Sequence, residues 1–169
     1  QFIEMNKRRA EDFASDGFIK DSLKRIIKGD RSGVSALNEH LSRNKLPLDK
    51  TLRSIYVMDR SGLVVASTEK NAVGADFSGM KFFEKARPAP GVSVREVANG
   101  PEPRLAIASP ITDKDTGELI GVMANFIHLA ELDKLLSCEF SKELGAISYD
   151  RGRKKTLEVY MVNKDGYFL

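Results

Sequence analysis

Ile55-Tyr56-Val57-Met58-Asp59-Arg60-Ser61-Gly62 reads as an apolar strand running into a polar turn that closes on glycine, after which Leu63-Val64-Val65 resumes the apolar run. The same order of residue types returns at Val159-Tyr160-Met161-Val162-Asn163-Lys164-Asp165-Gly166, 104 positions further on, with Tyr167-Phe168-Leu169 behind it. Two strand-turn-strand signals at this distance mark either a module repeated at that spacing or two ordinary hairpins of an α+β protein.

Working outward from the first hairpin, which spans Arg53 to Asp59 and Leu63 to Ser67, three further runs rich in Val, Ile and Ala follow: Val92 to Val97, Arg104 to Ile111 and Glu118 to Ile127. The last two are joined across Asp113-Lys114-Asp115-Thr116-Gly117, an Asp- and Gly-rich turn. These runs predict a central antiparallel five-stranded sheet. Asn71 to Gly91 is too long and too aromatic for a simple turn, with Phe77, Met80, Phe82 and Phe83 clustered and Pro88 and Pro90 closing it. It should fold over one face of the sheet.

Upstream, residues 1–29 are charged and rich in helix formers, and Phe13, Ile19, Leu23 and Ile26 continue one apolar side, so a single long amphipathic helix is expected there. At 1.5 Å per residue it would reach roughly 40 Å, more than one small domain needs, which leaves part of its apolar face for a sister helix. Gly29 ends it, and Ser32 can cap a second helix carrying Val34, Leu37 and Leu41 before Pro47. Leu129, Leu132, Leu135, Leu136 and Phe140 predict an exit helix, so residues 30–140 form one module and 141–169 a linker with the first hairpin of a second, truncated one.

Composition narrows the function. The 41% of apolar residues suffices for a core, no stretch approaches the ~20 apolar residues of a membrane span, and no signal peptide is evident. The sequence begins without Met, as an excised piece would. With 27 Lys and Arg interspersed among 24 Asp and Glu, the net +3 describes a solvated surface and gives no reason to expect a nucleic-acid partner. Arg151 to Lys155, the densest basic run, falls in the expected linker. One cysteine, Cys138, excludes an intrachain disulfide, and with His40 and His128 it makes no metal-ligand spacing. No phosphate loop, nucleophile elbow or Cys-His pair is present, which argues against an enzyme and requires no cofactor.

A binding site is the remaining chemistry. The segment over the sheet would leave a pocket bounded by Phe77, Met80, Phe82 and Phe83 above and by Phe126 and its neighbours below. Arg95, Arg104 and Ser109 are the polar groups placed along the adjoining strands, and a buried Arg would select a carboxylate through bidentate hydrogen bonds. The plainer alternative makes the phenylalanines core and turns both arginines to solvent.

Taken in order, Tyr56 to Gly62, Val73 to Ser78 with Phe82-Phe83-Glu84-Lys85-Ala86, Ala108 to Ile111, Gly117 to Val122 and the closing Glu158 to Tyr167 resemble the Cache family of extracytoplasmic sensor domains, in the double Cache arrangement. The resemblance implies a PAS-like fold and the ligand-binding input domain of a membrane-anchored chemoreceptor, histidine kinase or diguanylate cyclase. It also implies a homodimer through the N-terminal helix, and makes the second hairpin the opening of a membrane-proximal module. Amino-acid-binding members carry an Arg in the connecting segment and an Asp near the end of the fifth strand. Here those positions fall near Gly79 and on Phe126, which disfavours an amino-acid ligand because a desolvated ammonium would lack its partner. The competing readings are a cytoplasmic PAS-like cofactor domain, with His128 as the sole histidine near the sheet, and a purely dimerising spacer.

Overall fold

The computed structural model describes residues 2–89, 91–95 and 104–128, with side chains at 2–89 and 105–127. All of them belong to one compact unit, Gln1–His128. The predicted exit helix, Cys138, the basic run at 151–155 and the second hairpin lie outside the described residues.

The strands are β1 (Leu52–Asp59), β2 (Val64–Ser67), β3 (Gly91–Arg95), β4 (Arg104–Thr112) and β5 (Leu119–His128). They pair antiparallel in the order β2-β1-β5-β4-β3, and four of them carry described side chains. The α+β, antiparallel expectation holds. In the β1–β2 turn, an Asp59 carboxylate oxygen accepts from Ser61 N at 2.8 Å, Ser61 Oγ at 2.6 Å and Leu63 N at 3.1 Å. Gly62 adopts φ 94°, in the left-handed region that favours glycine.

The single long N-terminal helix is corrected to two: α1 (Phe2–Ser15) and α2 (Gly17–Ile27). Asp16 makes the break. Its backbone is extended, with φ −58° and ψ 125°, and its carboxylate accepts from Phe18 N at 2.8 Å and Ile19 N at 3.2 Å, so it caps α2. Lys45 Nζ lies 2.5 Å and His40 Nε2 3.5 Å from the same carboxylate. Burial opposes the Asp16 charge, but the hydrogen bonds from Lys45 and Ile19 N outweigh it and hold the carboxyl below its ordinary value.

The apolar side of the broken pair turns onto the chain's own sheet. Ala10, Phe13, Ala14, Ile19 and Leu23 are buried, with α1 across β4 and β5 and α2 against β5 and α3 (Ser32–His40). Met5, Phe18 and Ile27 stay exposed on the same two helices. Arg31, not Ser32, stands at the N-cap of α3 and makes no side-chain cap; just before it the Asp30 carboxylate accepts from Ser32 N at 3.1 Å and Ser32 Oγ at 2.5 Å. A π-helical turn, Leu41–Lys45, and a 3-10 turn, Leu46–Leu48, complete the approach to β1. No helix among the described residues is long and apolar enough to cross a membrane.

Charge ties α2 to the β4–β5 turn. Lys24 Nζ stands 2.7 Å from Asp113 and 3.3 Å from Asp115, while Lys114 reaches Asp21 at 3.2 Å. The hydrogen bond from Lys24, helped by the Asp115 N–H, lowers the Asp113 carboxyl from 3.8 to about 2. A depressed carboxyl stabilises the fold above its unfolded pKa, and that contribution fades as pH falls through the folded value. Urea midpoints for the wild type and Asp113→Asn should therefore differ by a constant amount above about pH 4. They should converge between about pH 4 and pH 2. A gap that stayed constant down to pH 2 would show that the Asp113 charge plays no part in it.

Candidate functional site

One face of the sheet is covered by helices; the other is covered by the chain between β2 and β3. On that second face β4 and β5 present small side chains, Ala106, Ala108 and Ala124, flanked by Tyr56, Met58, Val122 and Phe126. The alanines leave a shallow trough, and phenylalanines from the covering segment fill it. Phe77 arrives from a stretch that follows the β2 edge: Gly74 N donates to Val64 O at 2.8 Å, Val64 N to Ala75 O at 2.9 Å, and Phe77 N to Gly62 O at 2.9 Å. This stretch passes so close to Gly62 that a Cβ there would sit 2.6 Å from Ser78 backbone atoms. Phe82 and Phe83 come from α4 (Lys81–Ala86), a helix of six residues.

The rings form a connected set. Centroids lie 4.8 Å apart for Tyr56 and Phe126, 5.4 Å for Phe82 and Phe126, 5.8 Å for Phe77 and Phe82, and 5.7 Å for Tyr56 and Phe77. The two Phe82 contacts are edge-on, an arrangement that favours aromatic pairs beyond the area they bury. Polar groups enter from one side. The Tyr56 hydroxyl donates to Glu69 Oε2 at 2.5 Å, and Ser54, two positions before Tyr56 on β1 and fully buried, has a hydroxyl with no hydrogen-bond partner. A buried hydroxyl left unpaired costs about 1–3 kcal/mol, so such a group is a natural place for a polar ligand atom.

Four of the eight expected site residues, Phe77, Phe82, Phe83 and Phe126, are thus brought together. Met80 is not among them: it stands at the N-cap of α4, 37% exposed, where its carbonyl accepts from Phe83 N and Glu84 N. Ser109 is buried on the opposite face with Leu105 and Ile107, because alternation from Ala106 and Ala108 directs it towards the helices. Arg95 and Arg104 are placed by register alone, opposite one another on β3 and β4, with Arg104 also opposite His128. Ser54, Tyr56 and Glu69 were not foreseen as site residues. Their signal was the period-two phase of β1 and a carboxylate thirteen residues on, which only the hairpin brings near.

The fold has counterparts among solved structures. It aligns with the V. cholerae histidine kinase DctB sensor domain at a TM-score of 0.66 and 16% identity, covering 78% of this chain and 51% of that one. The fold is that of extracytoplasmic sensor domains. The E. coli DcuS sensor domain aligns at a TM-score of 0.54 and 19% identity, covering 77% of this chain and 90% of that one. The extracellular domain of vpHK1S-Z8 gives 0.59 and 17%, covering 80% and 55%. This chain thus spans about half the length of the DctB sensor domain it matches. No family model matches the sequence, and no curated protein matches it. The folds found are those of sensor rather than catalytic domains, as the Cache-like order of motifs implied.

Proposed function

We propose that this chain is the ligand-binding input domain of a transmembrane receptor, standing outside the cytoplasmic membrane and taking a small carboxylate-bearing molecule between α4 and the sheet. The observation that carries this reading is the pairing of an aromatic cover, borne by a helix of only six residues, with an alanine-floored trough beside the unpaired, buried Ser54 hydroxyl. Arg104 stands two positions before Ala106, at the end of β4 where β5 carries Phe126 and β1 carries Ser54, with Arg95 opposite it. Arginine at these register positions would supply the bidentate donors that a carboxylate ligand needs.

The rings fill the trough, so a ligand enters as the six-residue α4 lifts, and its binding is read out through the sheet by α1 on the other face. A homodimer through the N-terminal helices belongs to the same proposal, with the exposed Met5 of α1 and Phe18 of α2 as apolar groups left for a sister helix. Thermal unfolding with succinate, citrate, acetate, putrescine and glucose tests the site. An acid at 100 times its Kd adds about 2.7 kcal/mol, a rise of roughly 5 °C or more. That rise should disappear in Arg95→Ala combined with Arg104→Ala. A screen in which no acid shifts the midpoint, or a shift that survives in the double variant, would remove the proposed site.

A further inference from the structure

Away from the aromatic face, a cleft of about 960 Å³ opens between the α2–α3 joint and the β1–β2 turn. Its walls are aliphatic: Ile26, Ile27 and Val34 on the helix side, Leu63, Val65 and Val73 on the hairpin side. Of the large apolar side chains exposed among the described residues, three meet here, with Ile27 at 44%, Leu63 at 41% and Val73 at 37%. Scattered exposure of single side chains is ordinary, but convergence on one concavity marks a binding surface.

The charge at its rim is net positive, two arginines against one carboxylate. Arg31 and Arg60 line the cleft, are exposed and make no ion pair among the described residues. The carboxylate of Asp59, which also lines it, is engaged by Ser61 and Leu63 within its own turn. The neighbouring Asp30 is taken by Arg25 at 2.5 Å and by Ser32. An occupant matched to this surface has an aliphatic body and an anionic head. The volume lies within the range of about 300–1,000 Å³ usual for small-molecule sites.

We infer that this cleft is a second binding site, separate from the trough under α4, for a free single-chain amphiphile carrying a carboxylate. The chain packs between Ile27, Leu63 and Val73, and the head is held at Arg31 and Arg60. Isothermal titration with decanoate below its micelle concentration tests it, beside decanol, decyltrimethylammonium and phosphatidylglycerol vesicles.

Saturable binding of one decanoate per chain is expected, at least tenfold tighter than decyltrimethylammonium. Leu63→Asp and Val73→Asp, both on exposed side chains, should each weaken decanoate at least tenfold, and Arg31→Glu with Arg60→Glu should reverse the head-group preference. Arg95→Ala with Arg104→Ala should leave decanoate binding unchanged, which separates this cleft from the trough whatever becomes of the carboxylate reading there. Equal binding of anionic and cationic amphiphiles, binding to vesicles but not to monomeric decanoate, or loss of decanoate binding in the Arg95/Arg104 variant would each overturn the assignment.

Discussion

Gly121→Ala is expected to lower stability by about 3 kcal/mol or more, at the upper end of what overpacking costs. A Cβ at this position would lie 2.2 Å from the Met58 carbonyl oxygen and 2.8 Å from Leu23 Cδ2. The leucine tip could shift, but the carbonyl belongs to the neighbouring strand β1, and yielding there means opening the β1–β5 ladder where Gly121 pairs with Asp59. The same residue pairs with Ile111 on β4, so the strain would reach both neighbours at once. Against a total stability of about 5–15 kcal/mol, such a loss should be plain as a fall of roughly 10 °C in the unfolding midpoint. A loss below about 1 kcal/mol would show that the β1–β5 ladder yields at this point without cost.

Phe126→Ala should cost about 3–5 kcal/mol, the usual range for removing a buried phenylalanine. The ring is fully buried and touches both Tyr56 and Phe82, so its loss leaves a void bounded by the sheet and by α4. Met80→Ala, at an exposed position on the same covering segment, should change stability by no more than about 0.5 kcal/mol. Urea denaturation of the pair separates core from rim: similar costs for the two variants would mean that the aromatic cluster is not the centre of this face.

Much of this architecture was written in local patterns. The β1–β2 hairpin was legible because Asp59 and Gly62 each do something only their residue types do well, one engaging the turn's N–H groups and the other accepting φ 94°. The aromatic segment was legible because Phe77, Phe82 and Phe83 stand close together between Gly and Pro punctuation.

The break at Asp16 was not read, although Ser15-Asp16-Gly17 is a capping signal, because the apolar side continues through Phe13, Ala14 and Ile19. The groups that hold Asp16 there, His40 and Lys45, are remote in sequence and brought in by α3 and the π-helical turn. The direction of Ser109 was hidden for a different reason. Leu105 to Ser109 are all buried, so β4 has apolar or small residues on both sides and shows no polar alternation to mark which way each points. The polar end of the site was least visible, since Tyr56 and Glu69 meet only through the hairpin.

The joint at Asp16 changes what the N-terminal helices can transmit. A continuous rod would carry a push from one end to the other unchanged, whereas α1 and α2 share only β5 as a support: α1 leans chiefly on β4, and α2 on α3 and the β4–β5 turn. Force along α1 would therefore reach α2 as bending about the residue that caps it, Asp16. In the proposed relay the Asp16 joint would act as an elbow rather than a piston, braced by the contacts of Lys45 and His40 with its carboxylate.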